Sequence, residues 1–431
     1  MTRNITIIDL WTDENRGDAA LQLSLIRLLR ARYPGSRITG LYRYGFNEFP
    51  RLGKELGLSC GELDEALGGP RVTHLGGAGA WWQRMAPLRV VANLLALARF
   101  VATMVAFAVL GRFSRLLMTS CEWRAYVAIR DADLVVWKGK NFREYGDRRT
   151  FTRALSLTIN VLPALLLGKR PLCVNASFWS IRQPLARIYY RWVMRKCVAI
   201  VVREAESMLN ARELAPDHPA LSQAPDLSFY LVGTFARTVQ SPPASERAAT
   251  AAFTITEWGT PAQRSAYIEA MTAAMIALAD AGIVKVVVVP QVIRARESNA
   301  GAAGAIVERA RAARPALDVE VMEADLTVED LMRFYATCRL LVATRMHSCV
   351  FARAVGTPFI AVAYDEGAKW GILRSFWPER LVIPLSAVGP ASLSSEIPSL
   401  LADSRALIVD SQPGFDALIA DVERNLPDVP A

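Results

Sequence analysis

Arg345 and His347 carry the most usable chemistry in this chain. They stand in the run Thr344-Arg345-Met346-His347-Ser348, between an apolar stretch at 338–343 and a helical pattern that closes at Gly356-Thr357-Pro358. A strand end, a short polar turn and a helix N-terminus together make an anion site. Backbone N–H groups without helical partners and the helix dipole point at whatever binds there. Arginine adds a planar fork for carboxylate or phosphate. Histidine is the side-chain type best suited to passing a proton near neutral pH. Of the three histidines, His74, His218 and His347, only the last has such a setting.

A second arginine, in Val201-Val202-Arg203-Glu204, also follows a strand-like run and opens a helix. A cation there opposes the helix dipole, and a bound anion would resolve the conflict. The plainer reading is a surface arginine paired with Glu204 or Glu206. In Asn15-Arg16-Gly17-Asp18, Gly17 permits a tight turn close to a ligand, and Asp18 suits a helix N-cap. Pro225-Asp226-Leu227-Ser228-Phe229 reads as a turn in which the aspartate is structural.

The elements that position these residues alternate along the chain. In the first half, strands are expected at 5–10, 37–41, 133–137, 171–176 and 197–202. Helices are expected from 18 to 33 and at 148–166, 185–196 and 204–214. The second half repeats the alternation, with strands at 252–256, 284–289, 317–322, 340–343 and 358–363 and helices between them. Repeated βα units imply parallel sheets covered by helices on both faces. The Ser, Pro and Ala-rich stretch 233–250 is expected to be a linker. It would join an N-terminal Rossmann-like domain at 1–232 to a C-terminal one at 251–431 that holds Arg345 and His347. Two such domains with a cleft between them make a GT-B-like α/β architecture. Arg203 and Arg345, both at carboxyl ends of strands, would then face each other.

A chain of 431 residues is too long for one ordinary core, in keeping with two domains. The net charge is +9, built from 43 Arg and 7 Lys, which suits anionic ligands, acidic glycans or anionic lipids. Genomic base composition would produce the same arginine excess. No dense basic block, zinc-finger spacing or RNA-binding aromatic motif is present, so nucleic acid is not an expected partner. The six cysteines form no C-x-x-C pair and read as core residues in a reducing cytoplasm. The N-terminus lacks the pattern of a secretory signal. Residues 90–110 are apolar apart from Asn93, Arg99 and Thr103. This helical insertion near 86–115 is open to three readings: packed in the protein, lying on the inner face of a membrane, or spanning it.

Taken together, the four motifs resemble the polysaccharide pyruvyl transferase family, over nearly the whole chain. The matching residues are Asn15-Arg-Gly-Asp18, Val202-Arg203-Glu204 with Ser207, Pro225-Asp226-Leu227, and Arg345-Met346-His347-Ser348 with Phe351, Gly356, Pro358 and Tyr364. The resemblance implies a GT-B-like enzyme that transfers pyruvate from phosphoenolpyruvate to a sugar as a ketal, with no cofactor and no metal. By it, His347, Arg345 and Arg203 are catalytic, and Arg203, Arg345, Met346 and Ser348 bind the donor. Asn15, Gly17, Asp18, Lys138, Lys140 and Lys369 are the further substrate-binding candidates. The implied partners are phosphoenolpyruvate and a glycan or lipid-linked sugar, with peripheral membrane contact through 86–115. The chain departs from the family where it reads Trp137-Lys138-Gly139-Lys140-Asn141 in place of a glycine-rich turn. The two lysines either bind an anionic acceptor or mark a turn that has lost its usual contacts. The segment before Lys369 is also longer than usual. The competing functions are a nucleotide-sugar glycosyltransferase of the same fold and a non-catalytic partner in glycan assembly. Phe351 opposes the former, because it occupies the position where such enzymes commonly use a glutamate to hold the donor ribose.

Overall fold

The computed structural model describes residues 3–10, 15–42, 86–118, 120–144, 150–239, 242, 247–256, 259–291, 300–324, 326–364 and 370–427. Its contacts divide the chain into two compact units. The first holds Met1–Asp13, Leu25–Ala224 and Asn425–Ala431, and the second holds Glu14–Ser24 and Pro225–Arg424.

In the first unit, β1 (Asn4–Leu10), β2 (Arg37–Tyr42), β3 (Leu134–Lys138), β4 (Asn141–Phe142), β5 (Leu172–Phe178), β6 (Ala199–Val202) and β7 (Leu221–Gln223) form a seven-stranded sheet. Its order is β2-β1-β3-β5-β6-β7, with β4 beside β5. In the second unit, β8 (Thr250–Thr254), β9 (Lys285–Val288), β10 (Asp318–Val321), β11 (Leu340–Ala343), β12 (Phe359–Ala363) and β13 (Val382–Pro384) form a six-stranded sheet in the order β10-β9-β8-β11-β12-β13. Every pairing in both sheets is parallel. Central strands β3, β5, β6, β11 and β12 are buried along their full length, whereas edge strand β10 is mostly exposed. That pattern follows from helices on both faces, since a parallel strand covered on both sides needs apolar residues at every position. Each unit is therefore Rossmann-like, and the expected GT-B-like class holds.

The order of the second sheet is that of a doubly wound dinucleotide fold, and its strand order reverses between β8 and β11. In the first sheet the reversal lies between β1 and β3. Open α/β sheets place ligands at the carboxyl ends beside such a reversal.

Three expectations need correction. The helix expected over 148–166 is three pieces, Thr150–Thr158, a 3-10 turn at Ile159–Val161 and Leu162–Leu166. Pro163 opens the last piece, where its missing N–H costs nothing. The stretch 233–250 does not begin as a linker, because helix Ser228–Ala236 runs through its start. Gly233 within it serves packing: a Cβ there would lie 2.5 Å from Ile419 of the Arg405–Arg424 helix. The chain passes between units at Ala224/Pro225, and residues 14–24 belong by contact to the second unit rather than the first.

Candidate functional site

Strand β11 ends beside β8, and Thr344 fixes that end. Its N–H donates to Thr254 Oγ1 at 3.1 Å, and its hydroxyl donates to the Thr254 carbonyl at 2.7 Å. The Tyr267 hydroxyl lies 3.5 Å from Thr344 Oγ1. Burial pushes that phenol up to about 12, so it stays protonated and available as a donor. Arg345 is the extended residue that caps helix Met346–Ala354. Met346 and Ser348 are buried in the first turn, while Arg345 and His347 keep partial access to solvent.

His347 is held from three directions within the second unit. Phe351, one turn on and fully buried, lies with its ring centroid 6.3 Å from the imidazole. Asp226 is also fully buried, and its Oδ1 lies 3.7 Å from His347 Nε2. The same oxygen accepts the Ser228 N–H at 3.0 Å, which fixes its position. The third neighbour is Gly17, where a Cβ would fall 2.2 Å from His347 Nδ1. Gly17 lies inside helix Arg16–Arg32, so it supplies room for the imidazole rather than the tight turn expected of it. The cap of that helix is Asn15, whose Oδ1 accepts from Gly17 N at 3.1 Å and Asp18 N at 3.4 Å. Asp18, expected to be the cap, sits in the first turn, where its charge suits the dipole.

Arg203 is not on the surface. It is 8% exposed in the first unit, and its Nε donates to Ser177 Oγ at 2.6 Å and Glu204 Oε1 at 2.7 Å. One terminal nitrogen donates to Asn141 Oδ1 at 2.9 Å. Glu204, 6% exposed, also accepts from Ser177 at 2.8 Å and from Ser207 at 2.7 Å. The expected pairing of Arg203 with Glu204 is present, but as a buried network that presets the guanidinium.

Lys138 is buried at the end of β3, and Lys140 lies 2.9 Å from the Asp9 carboxylate. Asp9 is the residue whose functional interest sequence reading passed over. It is 1% exposed, lies in the left-handed region at φ 68, and forms a bulge in β1. Trp137 Nε1 donates to it at 2.9 Å and Asn160 Nδ2 at 2.5 Å. Asn175, at φ 60, makes a matching irregularity in β5. An acid inside an apolar strand is the one sequence signal that marks Asp9. Gly139 leaves no room for a side chain, since a Cβ there would meet the Ala176 backbone at 2.7 Å. Lys369 lies outside the described residues.

The structure thus brings Asn15, Gly17, Asp18, Asp226 and Thr344–Ser348 together in the second unit, with Arg203, Lys138, Lys140 and Asp9 in the first. A family profile described as polysaccharide pyruvyl transferase matches residues 15–366. Comparison with curated proteins finds no match. The fold is similar to that of a UDP-GlcNAc 2-epimerase from Neisseria meningitidis bound to UDP-GlcNAc (TM-score 0.56, 8% identity, covering 97% of each chain). It is also similar to a putative UDP-N-acetylglucosamine 2-epimerase from Listeria monocytogenes (TM-score 0.56, 11% identity, 95% of this chain and 91% of that one). A sucrose-phosphate synthase from Thermosynechococcus elongatus gives a TM-score of 0.53 at 13% identity, over 98% of this chain and 96% of its own.

Proposed function

Because this chain belongs to the polysaccharide pyruvyl transferase family, we propose that it transfers the pyruvate of phosphoenolpyruvate to two hydroxyls of a sugar in a polysaccharide or glycolipid, forming a ketal and releasing phosphate. The observation that carries this reading is the seating of His347. A partly accessible imidazole stands on the first turn of a helix, next to Arg345, over Gly17 and in front of Asp226.

The donor is small and carries a carboxylate and a phosphate. Arg345 is a fork of the kind such a donor requires. The Ser348 N–H is taken by the Arg345 carbonyl at 3.0 Å, so the first N–H groups of that helix, at Met346 and His347, are the ones that would stabilise the charge building on the departing phosphate. His347 acts as acid and base. A proton delivered to C3 makes C2 electrophilic, and a sugar hydroxyl adds there. The phosphate then leaves C2, and the second hydroxyl closes the ketal. Two hydroxyl protons leave the sugar: one ends in the new methyl group at C3, the other on phosphate.

Phe351 argues against a nucleotide-sugar donor, because it is fully buried beneath the imidazole and offers no acceptor to ribose hydroxyls. Titration calorimetry separates the two readings. Phosphoenolpyruvate is expected to bind the full chain and to lose affinity in Arg345→Ala. Tight binding of a uridine or guanosine diphosphate-sugar, with none of phosphoenolpyruvate, would reverse the assignment.

A further inference from the structure

Residues 98–117 form the C-terminal part of helix Ala86–Leu110 and the 3-10 turn Gly111–Leu117, and only Phe100, Thr103, Phe107 and Ser114 among them are buried. One stripe packs inward. Phe100, Thr103 and Phe107 are buried, and Phe107 stacks on Tyr126 at 5.1 Å and meets Trp123 edge-on at 5.4 Å. Arg99 pairs with the buried carboxylate of Glu122 on the same side. The opposite stripe faces out along the helix through Val101, Val105 and Val109. Leu110 ends the helix on the same side, and the turn continues the stripe with Phe113, Leu116 and Leu117, of which Leu116 is 91% exposed.

Charge says what covers this face. Residues 86–121 contain four arginines, Arg89, Arg99, Arg112 and Arg115, and no aspartate, glutamate or lysine. Arg112 and Arg115 flank the exposed leucines and Phe113, and neither is ion-paired among the described residues. A second exposed apolar stripe, Leu185, Ile188 and Trp192 on helix Pro184–Lys196, differs in this respect. Its arginines are answered by Glu213 and Asp217. A second copy of the chain is a poor occupant for the 98–117 face, because a two-fold contact would set arginine against arginine with no acid between them. A free bilayer span is opposed by the packing of Phe107 and the Arg99–Glu122 pair, which tie the helix to Ser120–Arg130.

We propose that residues 98–117 dock this protein on the surface of an anionic lipid bilayer, with the Gly111–Leu117 turn inserted among the acyl chains and Arg112 and Arg115 at the headgroups. Apolar insertion combined with basic flanks is how an interfacial helix holds to such a surface. This inference stands apart from the chemistry proposed above, since binding of phosphoenolpyruvate does not depend on it.

Flotation of the full chain with two kinds of vesicle tests it: phosphatidylcholine alone, and phosphatidylcholine with roughly a third phosphatidylglycerol. The wild type is expected to float with the anionic vesicles and to be released by salt. The triple variant Phe113→Glu, Leu116→Glu, Leu117→Glu is expected to lose vesicle binding by about tenfold or more with an unchanged melting temperature. Arg112→Ser with Arg115→Ser is expected to remove the preference for anionic vesicles. Equal flotation of the triple variant, or no flotation of the wild type, overturns the proposal. So does a dimer in light scattering that the triple variant dissolves without any vesicle binding.

Discussion

At the carboxyl edge of the first sheet, Asp9 receives Trp137, Asn160 and Lys140, and Arg203 is engaged by Ser177, Glu204 and Asn141. At the carboxyl edge of the second, His347 stands 3.7 Å from its acidic neighbour, and its Nε2 has no hydrogen bond among the described residues. Both edges adjoin charged motifs, yet one is bound up in protein contacts while the other keeps a proton-passing group uncommitted. A buried charge needs such partners to be tolerated at all, whereas a group that must exchange protons works best when its partners orient it without saturating it. Charge in the first unit is thus tied into protein contacts, whereas the imidazole of the second is oriented by its neighbours without being saturated.

The largest expected effect tests the second edge. His347→Ala should lower turnover by about 10³-fold or more with the melting temperature unchanged, measured as phosphate release from phosphoenolpyruvate with a glycan acceptor. Full activity would remove the imidazole from the reaction. The first edge should answer differently. Glu204→Ala strips the buried partner from Arg203 and should reduce unfolding free energy by roughly 3–5 kcal/mol in denaturant titrations. Unchanged stability would break the contrast between the two regions. The smallest effect sharpens it: Gly17→Ala should push the imidazole aside and cost on the order of 10² in turnover with little loss of stability. A fall in stability without a fall in turnover would make Gly17 a packing residue only.

Much of this was legible in the sequence because periodicity reports burial. The run Leu340–Ala343 and the helix Val328–Thr337 stand where the apolar pattern puts them. Arg345 and His347 stood out because a polar turn after a buried strand has few other uses. Asp226 did not, since an aspartate in a turn looks the same whether or not an imidazole 121 positions later comes to rest against it. Gly17 misled for a related reason. Glycine advertises missing volume, and sequence does not say whether a turn, a ligand or a neighbouring side chain uses the space. Asp9 was visible only as an acid among apolar residues, and its left-handed backbone depends on partners from β3 and from the Ile159–Val161 turn.

The imidazole that rests over Gly17 lies 330 positions further along the chain. During synthesis the N-terminal helix emerges long before its partner exists, and domains tend to form in the order they leave the ribosome. Residues 14–24 therefore wait for the second unit through most of translation. Contacts of such long sequence separation form late and slowly. The seat of His347 is thus completed late, and a chain cut short anywhere before His347 carries the N-terminal motif without its imidazole.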